Sequence, residues 1–555
     1  MNAATWTCVL VAALLALQAV VGAWARARSV RRYYVADRMV PPALVGMASA
    51  AEWISAASFL SLAGLLASRG RDGSAYLVGW TGGFVLLGLL LGPLRRYGKL
   101  SVPQFVAERY GAAGARLVAL GCAVVISLVY VVAQIRGAGV VFARFLGVSV
   151  GGGVALGTVA ILAQALLGGR RGTSSRVVQY GVVAVAFLLP AALVSLRLTG
   201  QAVPAVGLGA PLDADGAALI GVAPGQGVLQ VLDHLHLGMG LAPYTSGVRP
   251  RADVVATALA LVAGTAGLPH VIARLFAVPR VRDARASASW ALLFVALLYT
   301  AAPAVAAFSR AGVLGSVQDV PHARAPAWFA SWEATGLVQF TDRDGDGRMR
   351  ISGREGENEV RVDPDVLVLA APEMAGLPAW VVGLVATGAL AAALSGAAGL
   401  LAVIGSAVAR DLGKSTLTPN LSERNEQRLS RTAAVLAVLA AGRIAVHPPG
   451  SVAQVAALAF GLAAASLFPA LVAGLFWKRA SGAGAAAGMA AGFLFTGGYI
   501  AFFRAVRPDL DGPAHWWLGI SPEGIGAVGM VVALAVLAVV SLRVAAPPSP
   551  GPSAG

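Results

Sequence analysis

Thirteen apolar runs follow one another along this chain, near 4–24, 41–68, 74–94, 116–147, 150–168, 177–196, 253–273, 286–308, 378–409, 431–447, 450–477, 483–504 and 524–544. Crossing a hydrocarbon layer about 30 Å thick takes roughly 20 residues in helix, and most of these runs meet that length. Inside such a layer each backbone N–H and C=O needs a partner within the protein, which leaves helices as the outcome for runs of this kind. Composition agrees: of 555 residues 57% are hydrophobic and 12% charged, where a soluble domain carries about 25% charged residues. The expected fold class is an all-α polytopic membrane protein with about 13 transmembrane helices.

A formal net charge of +16 would point to a polyanion if the chain were soluble. Here the basic residues fall in alternate loops, so topology accounts for them and no nucleic-acid partner is expected. With the N-terminus outside, the inside segments hold Arg26, Arg28, Arg31 and Arg32; Arg95, Arg96 and Lys99; Arg170, Arg171 and Arg176; Arg274, Arg280, Arg282 and Arg285; Arg410, Lys414, Arg424 and Arg428; Lys478 and Arg479; and Arg543. The two long outside segments, about 197–252 and 309–377, carry Asp, His and Gly instead. The first run has its arginines after it, the wrong order for a cleaved signal peptide, and reads as a retained span. The C-terminus then lies in the cytoplasm, and the expected location is a bacterial cell membrane. The organisation reads as an extra helix and basic loop over 1–40, a ten-helix core over 41–478, two further helices over 479–544 and a disordered Pro/Ser/Gly tail over 545–555. The two cysteines, Cys8 and Cys122, sit in apolar runs and offer neither a disulfide framework nor a CxxC metal site.

Two charges are set where a charge is expensive. Glu52 lies in "AEWISAASFLSLAGLL", 51–66, and Arg136 midway along "VYVVAQIRGAGVVFARF", 129–145. An unpaired charge at mid-membrane costs at least about 2.5 kcal/mol, so each calls for a function or a partner. Glu52 fits anchoring of an unwound segment or handling of an ion or proton; Arg136 offers a bidentate fork that matches a carboxylate. The structural alternative is an ion pair between the two, or an Arg136 that faces a water-filled vestibule. Three runs also read as interrupted helices: the second at Glu52 and Ser55, the seventh at "GTAGLPH", 264–270, and the ninth at "ATGALAAALSGAAGLL", 386–401. Secondary transporters use such breaks to present freed carbonyls to a cation; the competing reading is that Gly, Ala and Ser only permit close helix packing.

These stretches, with "LRRYGKLSVPQFVAERYG" (94–111), "GTAGLPHVIARLFAVPRVRDARASASWALLF" (264–294) and "LPAWVVGLVATGALAAALSGAAGLLAVIGSAVARDL" (377–412), resemble the sodium:solute symporter family. The likeness runs from about residue 30 to 480 and is closest to the cation/acetate symporter (acetate permease) branch. It implies a leucine-transporter-type core of two inverted five-helix repeats, with one helix in front and two behind. It also implies a cation site between the first and eighth core helices, with carbonyls of Ala51 and Ile54 on one side and Ala392, Ser395 and Gly396 on the other. The family usually carries two adjacent hydroxyls at the last pair, whereas Gly396 has no side-chain oxygen; the coupling ion is sodium or a proton. No other cofactor is expected. Substrate-lining candidates are Glu52, Trp53, Ser55, Gln134, Arg136 and Thr265. In the branch pattern the place of Arg136 is usually apolar, a departure that points to a different carboxylate, for instance a larger one.

The solute expected is a small organic anion, a monocarboxylate such as acetate, propionate or pyruvate, carried by alternating access. One cation moved with one such anion transfers no net charge, so that cycle draws on the ion gradient and not on the roughly 2.3 kcal/mol per charge that 100 mV supplies. Alternatives are a symporter of the same family for proline or another solute, and a membrane sensor of the same fold. The sensor reading fits poorly with about a dozen residues after 544. "DRDGDGRMRISG", 342–353, opens like a calcium loop with Asp342, Asp344, Asp346 and Gly347, yet its twelfth position is Gly353 where a bidentate Glu belongs, and Arg348 and Arg350 intrude. It therefore stands as an incomplete calcium candidate, with a solvated turn as the alternative. "DHLH", 233–236, is too little for a transition-metal site. No phosphate-binding loop or nucleophile elbow stands in a credible setting, so no enzyme is expected.

Overall fold

The computed structural model describes residues 2–29, 41–95, 101–167, 173–275, 281–354, 356–418 and 420–544. Several basic residues assigned to inside segments (Arg31, Arg32, Arg96, Lys99, Arg170, Arg171 and Arg280) and the tail 545–555 lie outside the described residues. Each apolar run falls on helix. The chain runs through α1 (Ala3–Ser29), α2 (Pro42–Trp53), α3 (Leu62–Arg69), α4 (Ser74–Arg95), α5 (Val102–Tyr110), α6 (Ala113–Leu146), α7 (Val150–Leu167) and α8 (Thr173–Thr199). Three short helices follow, α9 (Pro204–Gly209), α10 (Ala214–Ile220) and α11 (Val228–Gly238), and then α12 (Arg251–Gly267), α13 (Pro269–Leu275), α14 (Val281–Tyr299) and α15 (Ala302–Val317). After α16 (Ala327–Glu333) and α17 (Leu367–Met374) come α18 (Ala379–Ser406), α19 (Glu423–Val446), α20 (Val452–Ala465), α21 (Leu467–Phe476), α22 (Gly482–Ala501) and α23 (Gly526–Arg543). Among the described residues ten helical stretches are long and apolar enough to cross a membrane, and Ala3–Leu17 and Val150–Leu166 are shorter apolar helices.

Two of the three expected interruptions are present. α2 ends at Trp53, Ile54 turns out of the helix with ψ 91°, and the chain re-enters helix through a wide π-type turn over Ala57–Ser61 before α3. α12 ends at Gly267, and Leu268 is extended (φ −69°, ψ 123°) before α13. Pro269 explains this second break, since it has no N–H to give and disfavours helical geometry in the residue before it.

The third expectation is corrected. α18 runs unbroken from Ala379 to Ser406. Its small residues serve contact instead: a Cβ on Gly388 would lie 2.4 Å from the Cβ of Ala186, and one on Gly396 would lie 2.7 Å from Oε1 of Gln134. Close packing is the role of small residues that fits these contacts. A break the apolar pattern did not announce stands at Ser466, between α20 and α21 (φ −129°, ψ −72°). Pro469 accounts for it, because its ring cannot sit over the carbonyl of the residue four before it.

At the core α18 packs against α6 and α8, α2 against α8 and α14, and α20 against α6 and α12. The connection between α15 and α18 holds the only strands among the described residues: β1 (Val320–Pro321) pairs antiparallel with β3 (Arg348–Met349), and β2 (Val338–Phe340) with β4 (Val360–Val362).

Candidate cation and solute site

The break after α2 is held open from outside its own chain segment. Tyr130 and Gln134, one turn apart on the same face of α6, take its free polar groups: Ser55 Oγ and Tyr130 Oη lie 2.8 Å apart, and the Ala56 N–H donates to Gln134 Oε1 at 3.0 Å. On the other side, Ser395 of α18 donates its hydroxyl to the Ala51 carbonyl at 2.9 Å. That carbonyl belongs to the last turn before the break, where no following helical N–H claims it in full. Ala51, Ile54, Ala392, Ser395 and Gly396 are all buried.

Gly396, one residue beyond Ser395, faces the Gln134 amide and the Ser55 Cβ, the latter 3.1 Å from where a Cβ would stand. The space that a second hydroxyl would use is filled by Gln134. The break after α2 is thus flanked by oxygens from three helices, the Ala51 carbonyl and the side chains of Ser55, Tyr130, Gln134 and Ser395. Oxygen donors of this kind suit a hard cation.

The remaining candidates sort differently. Trp53 points into an aromatic cluster, edge-on to Phe84 (5.4 Å between centroids) and Phe460 (6.0 Å). Tyr130 lies edge-on to Phe460 at 5.6 Å and 5.7 Å from His270, and Ser58 Oγ stands 3.0 Å from Tyr299 Oη. Thr265 is buried on α12 and faces Gly83 of α4, where a Cβ would come within 2.3 Å of its own Cβ. It belongs to helix packing beside the seventh-run break and does not join the Ala51–Ser395 group.

Glu52 and Arg136 do not pair with each other, contrary to the structural alternative read from the sequence. Glu52 Oε1 meets Arg176 Nε of α8 at 2.8 Å, and Arg136 Nη2 meets Asp363 Oδ2 at 3.5 Å. The reason is direction: Arg136 is two residues past Gln134, about 200° around the helix, and so leaves the face that meets the broken helix. It reaches the segment after β4, where Pro364 packs its carbonyl against Gly64 of α3 and both carboxylate oxygens of Asp365 accept the Val452 N–H at 3.0 and 3.2 Å. Burial, and next the Asp363 charge, push the Asp365 carboxyl up to about 7. A second polar knot stands nearby: Glu523, wholly buried, meets Arg69 at 3.1 Å, Arg504 at 2.8 Å and Arg249 at 3.4 Å. Burial alone would raise this carboxyl, but the three guanidiniums hold it well below the usual carboxylate range.

Residues the sequence reading passed over are Tyr130, Phe460, Asp363 and Asp365. Tyr130 carried a signal, a hydroxyl one helical turn from Gln134 in an apolar run. Asp363 and Asp365 carried none, because their partners are distant in sequence. In "DHLH", Asp233 accepts the Thr245 hydroxyl at 2.6 Å and His236 faces Arg310 at 3.1 Å.

A model of the sodium:solute symporter family matches residues 33–321 and 364–492. An uncharacterized symporter of Cupriavidus necator is 33% identical, over 95% of this chain and 90% of that protein. A monocarboxylic acid transporter of Corynebacterium glutamicum is 29% identical, over 81% of this chain and 74% of that protein. Among solved structures, a Na+-coupled sialic acid symporter in a substrate-bound outward-open state superposes with a TM-score of 0.66 at 12% identity, covering 98% of this chain and 99% of that one. A nucleobase-cation-symport-1 family transporter in a closed conformation gives 0.50 at 13% identity, over 92% and 93%. The fold is that of leucine-transporter-type carriers.

Proposed function

The chain belongs to the sodium:solute symporter family, and from that premise we propose that it carries a small monocarboxylate, such as acetate, propionate or pyruvate, together with sodium. As a multi-pass membrane transporter it needs a site that opens alternately to either side, and helices broken at Ile54 and Leu268 supply hinges for it. The observation that carries the reading is the 2.9 Å contact between Ser395 Oγ and the Ala51 carbonyl at the first of these breaks. In our reading sodium enters there, drawing on that carbonyl, the Ile54 carbonyl and the Ser395 hydroxyl. The Gln134 amide oxygen stands in for the hydroxyl that Gly396 lacks.

The monocarboxylate assignment draws its support from the Corynebacterium glutamicum relative and from a guanidinium available for a carboxylate. In this scheme the solute anion replaces Asp363 on Arg136, so the 3.5 Å pair is the resting state of the anion site. We further place the N-terminus outside and the C-terminus in the cytoplasm, with thirteen spans, on the alternation of basic segments.

Uptake of labelled acetate, pyruvate and proline into proteoliposomes, with sodium and pH gradients imposed separately, tests the proposal. Sodium-driven pyruvate or acetate flux is expected. Proline flux without either acid would overturn the solute assignment, and flux indifferent to the sodium gradient would overturn the coupling.

A further inference from the structure

The incomplete calcium loop acquires in the fold the carboxylate that it lacks in sequence. The loop 341–347 turns back on itself between β2 and β3, helped by left-handed glycines at 345 (φ +81°) and 347 (φ +67°). Across from it runs the residue before β4, Glu359. Its backbone ties both limbs of the loop: the Glu359 carbonyl accepts the Thr341 N–H at 2.9 Å, and the Glu359 N–H donates to the Arg350 carbonyl at 2.9 Å. The side chain is therefore carried beneath the loop.

Glu359 is 4% exposed. Its Oε1 accepts the Arg343 N–H at 2.8 Å, but its Oε2 is buried with no hydrogen-bond partner among the described residues. Carboxylate oxygens of Asp342, Asp344 and Glu359 lie within 4.8 Å of one another. Three carboxylates held this close repel one another, and a buried carboxylate oxygen without a partner is costly. Protein contacts leave that oxygen unanswered; a cation would answer it.

We propose that this loop binds a calcium ion through Asp342, Asp344 and Glu359, with Asp346 as a further ligand. The site would work as a calcium loop whose closing glutamate comes from a neighbouring strand and not from its twelfth position. The donor set consists of hard oxygens only, which excludes a preference for metals that favour nitrogen or sulfur. A donor set of several carboxylates drawn from a loop and a neighbouring strand suits the longer bonds and higher coordination number of calcium better than the tight octahedron of magnesium.

Arg350 is the internal competitor. Its guanidinium meets Asp344 Oδ2 at 2.9 Å and Asp346 Oδ2 at 3.4 Å, and its side chain is 38% exposed, so it has solvent to move into when the ion arrives. The remaining Asp342 and Asp346 contacts are to loop N–H groups: Gly345 at 2.8 Å and Gly347 at 3.1 Å for Asp342, and Arg348 at 2.7 Å for Asp346. They set the loop's shape without neutralising its charge. This segment lies in the stretch 322–363 that falls between the two regions matched by the family model. Glu359 also stands four residues before Asp363, the partner of Arg136, so an ion here would fix the strand that delivers Asp363.

The test is calorimetric titration of the purified full-length protein in detergent with calcium chloride and, separately, magnesium chloride, with thermal unfolding read alongside. We expect saturable calcium binding with a dissociation constant on the order of 0.1–1 mM, the range of extracellular calcium modules, a rise in unfolding midpoint with calcium, and no equal effect of magnesium. Asp342→Asn and Glu359→Gln should remove the binding. Arg350→Ala, which deletes a competing cation and no ligand, should tighten it several-fold and guards against misreading a misfolded variant. No calcium-dependent heat in the parent protein, unchanged binding in Glu359→Gln, or unchanged affinity in folded Arg350→Ala would each overturn the proposal.

Discussion

The Ser395 hydroxyl donates to the Ala51 carbonyl at 2.9 Å, so a continuous helix and the end of an interrupted one share a single polar contact in the buried core. A hydroxyl can trade that bond for a cation without leaving its place, since its oxygen keeps lone pairs free. Ser395→Ala removes the oxygen while keeping the helix. The half-saturating sodium concentration for uptake should then rise about tenfold or more, in line with the 1.5–3 kcal/mol typical of interactions with a charged group. Uptake measured against sodium concentration at fixed solute checks this.

Gly396 and Gln134 are predicted to depend on each other. A Cβ at 396 would lie 2.7 Å from Gln134 Oε1, and that oxygen already receives the Ala56 N–H. Gly396→Ser should therefore lose stability by about 1–3 kcal/mol, the usual cost of overpacking, and should not improve sodium affinity despite adding a hydroxyl. Combined with Gln134→Ala the same serine should be tolerated. A double-mutant cycle in thermal stability reads the coupling.

Arg136 and Asp363 form the proposed anion site in its resting state. Arg136→Leu should abolish carboxylate uptake, while Asp363→Asn should lower the apparent KM by freeing the guanidinium for solute. Unchanged KM in both variants would confine the pair to a structural role.

Asp365 gives a pH dependence with a definite sign. Its carboxyl is pushed up from the ordinary value of 3.8 to about 7, so between those values the folded protein holds more proton than the unfolded chain. Stability must fall as pH rises through that window, and level off above it. The unfolding midpoint of the parent protein should decline from pH 4 to about 7, and Asp365→Asn should flatten the decline.

Glu523 is expected to be intolerant of change. Replacing it with Gln takes a counter-charge from Arg69, Arg249 and Arg504, each only 15–16% exposed at the side chain; Arg249 keeps Asp253 at 2.7 Å and Arg504 keeps Asp511 at 3.2 Å, so Arg69 bears most of the loss. Breaking a buried ion pair by removing one partner typically costs about 3–5 kcal/mol, which chemical denaturation would register.

Much of this was legible in the apolar pattern, because helices in lipid must satisfy their own backbone and so announce themselves as long runs. The break at Ile54 was legible through Glu52 and Ser55, and that at Leu268 through Pro269. The pattern misled at 386–401, where small residues that permit a break also permit close packing, and Gly388 and Gly396 do the second. Other relations were hidden for a plain reason: Arg136 with Asp363, Glu52 with Arg176, and Glu359 with Asp342 join residues whose proximity depends on tertiary pairing. Ser466 was missed because Pro469 sits three residues downstream of the break it causes.

Equilibrium binding of radiolabelled sodium to the purified protein tests the central claim most directly. The account predicts saturable binding that is lost or strongly weakened in Ser395→Ala and retained in Arg136→Leu. Sodium binding of undiminished affinity in folded Ser395→Ala would contradict it.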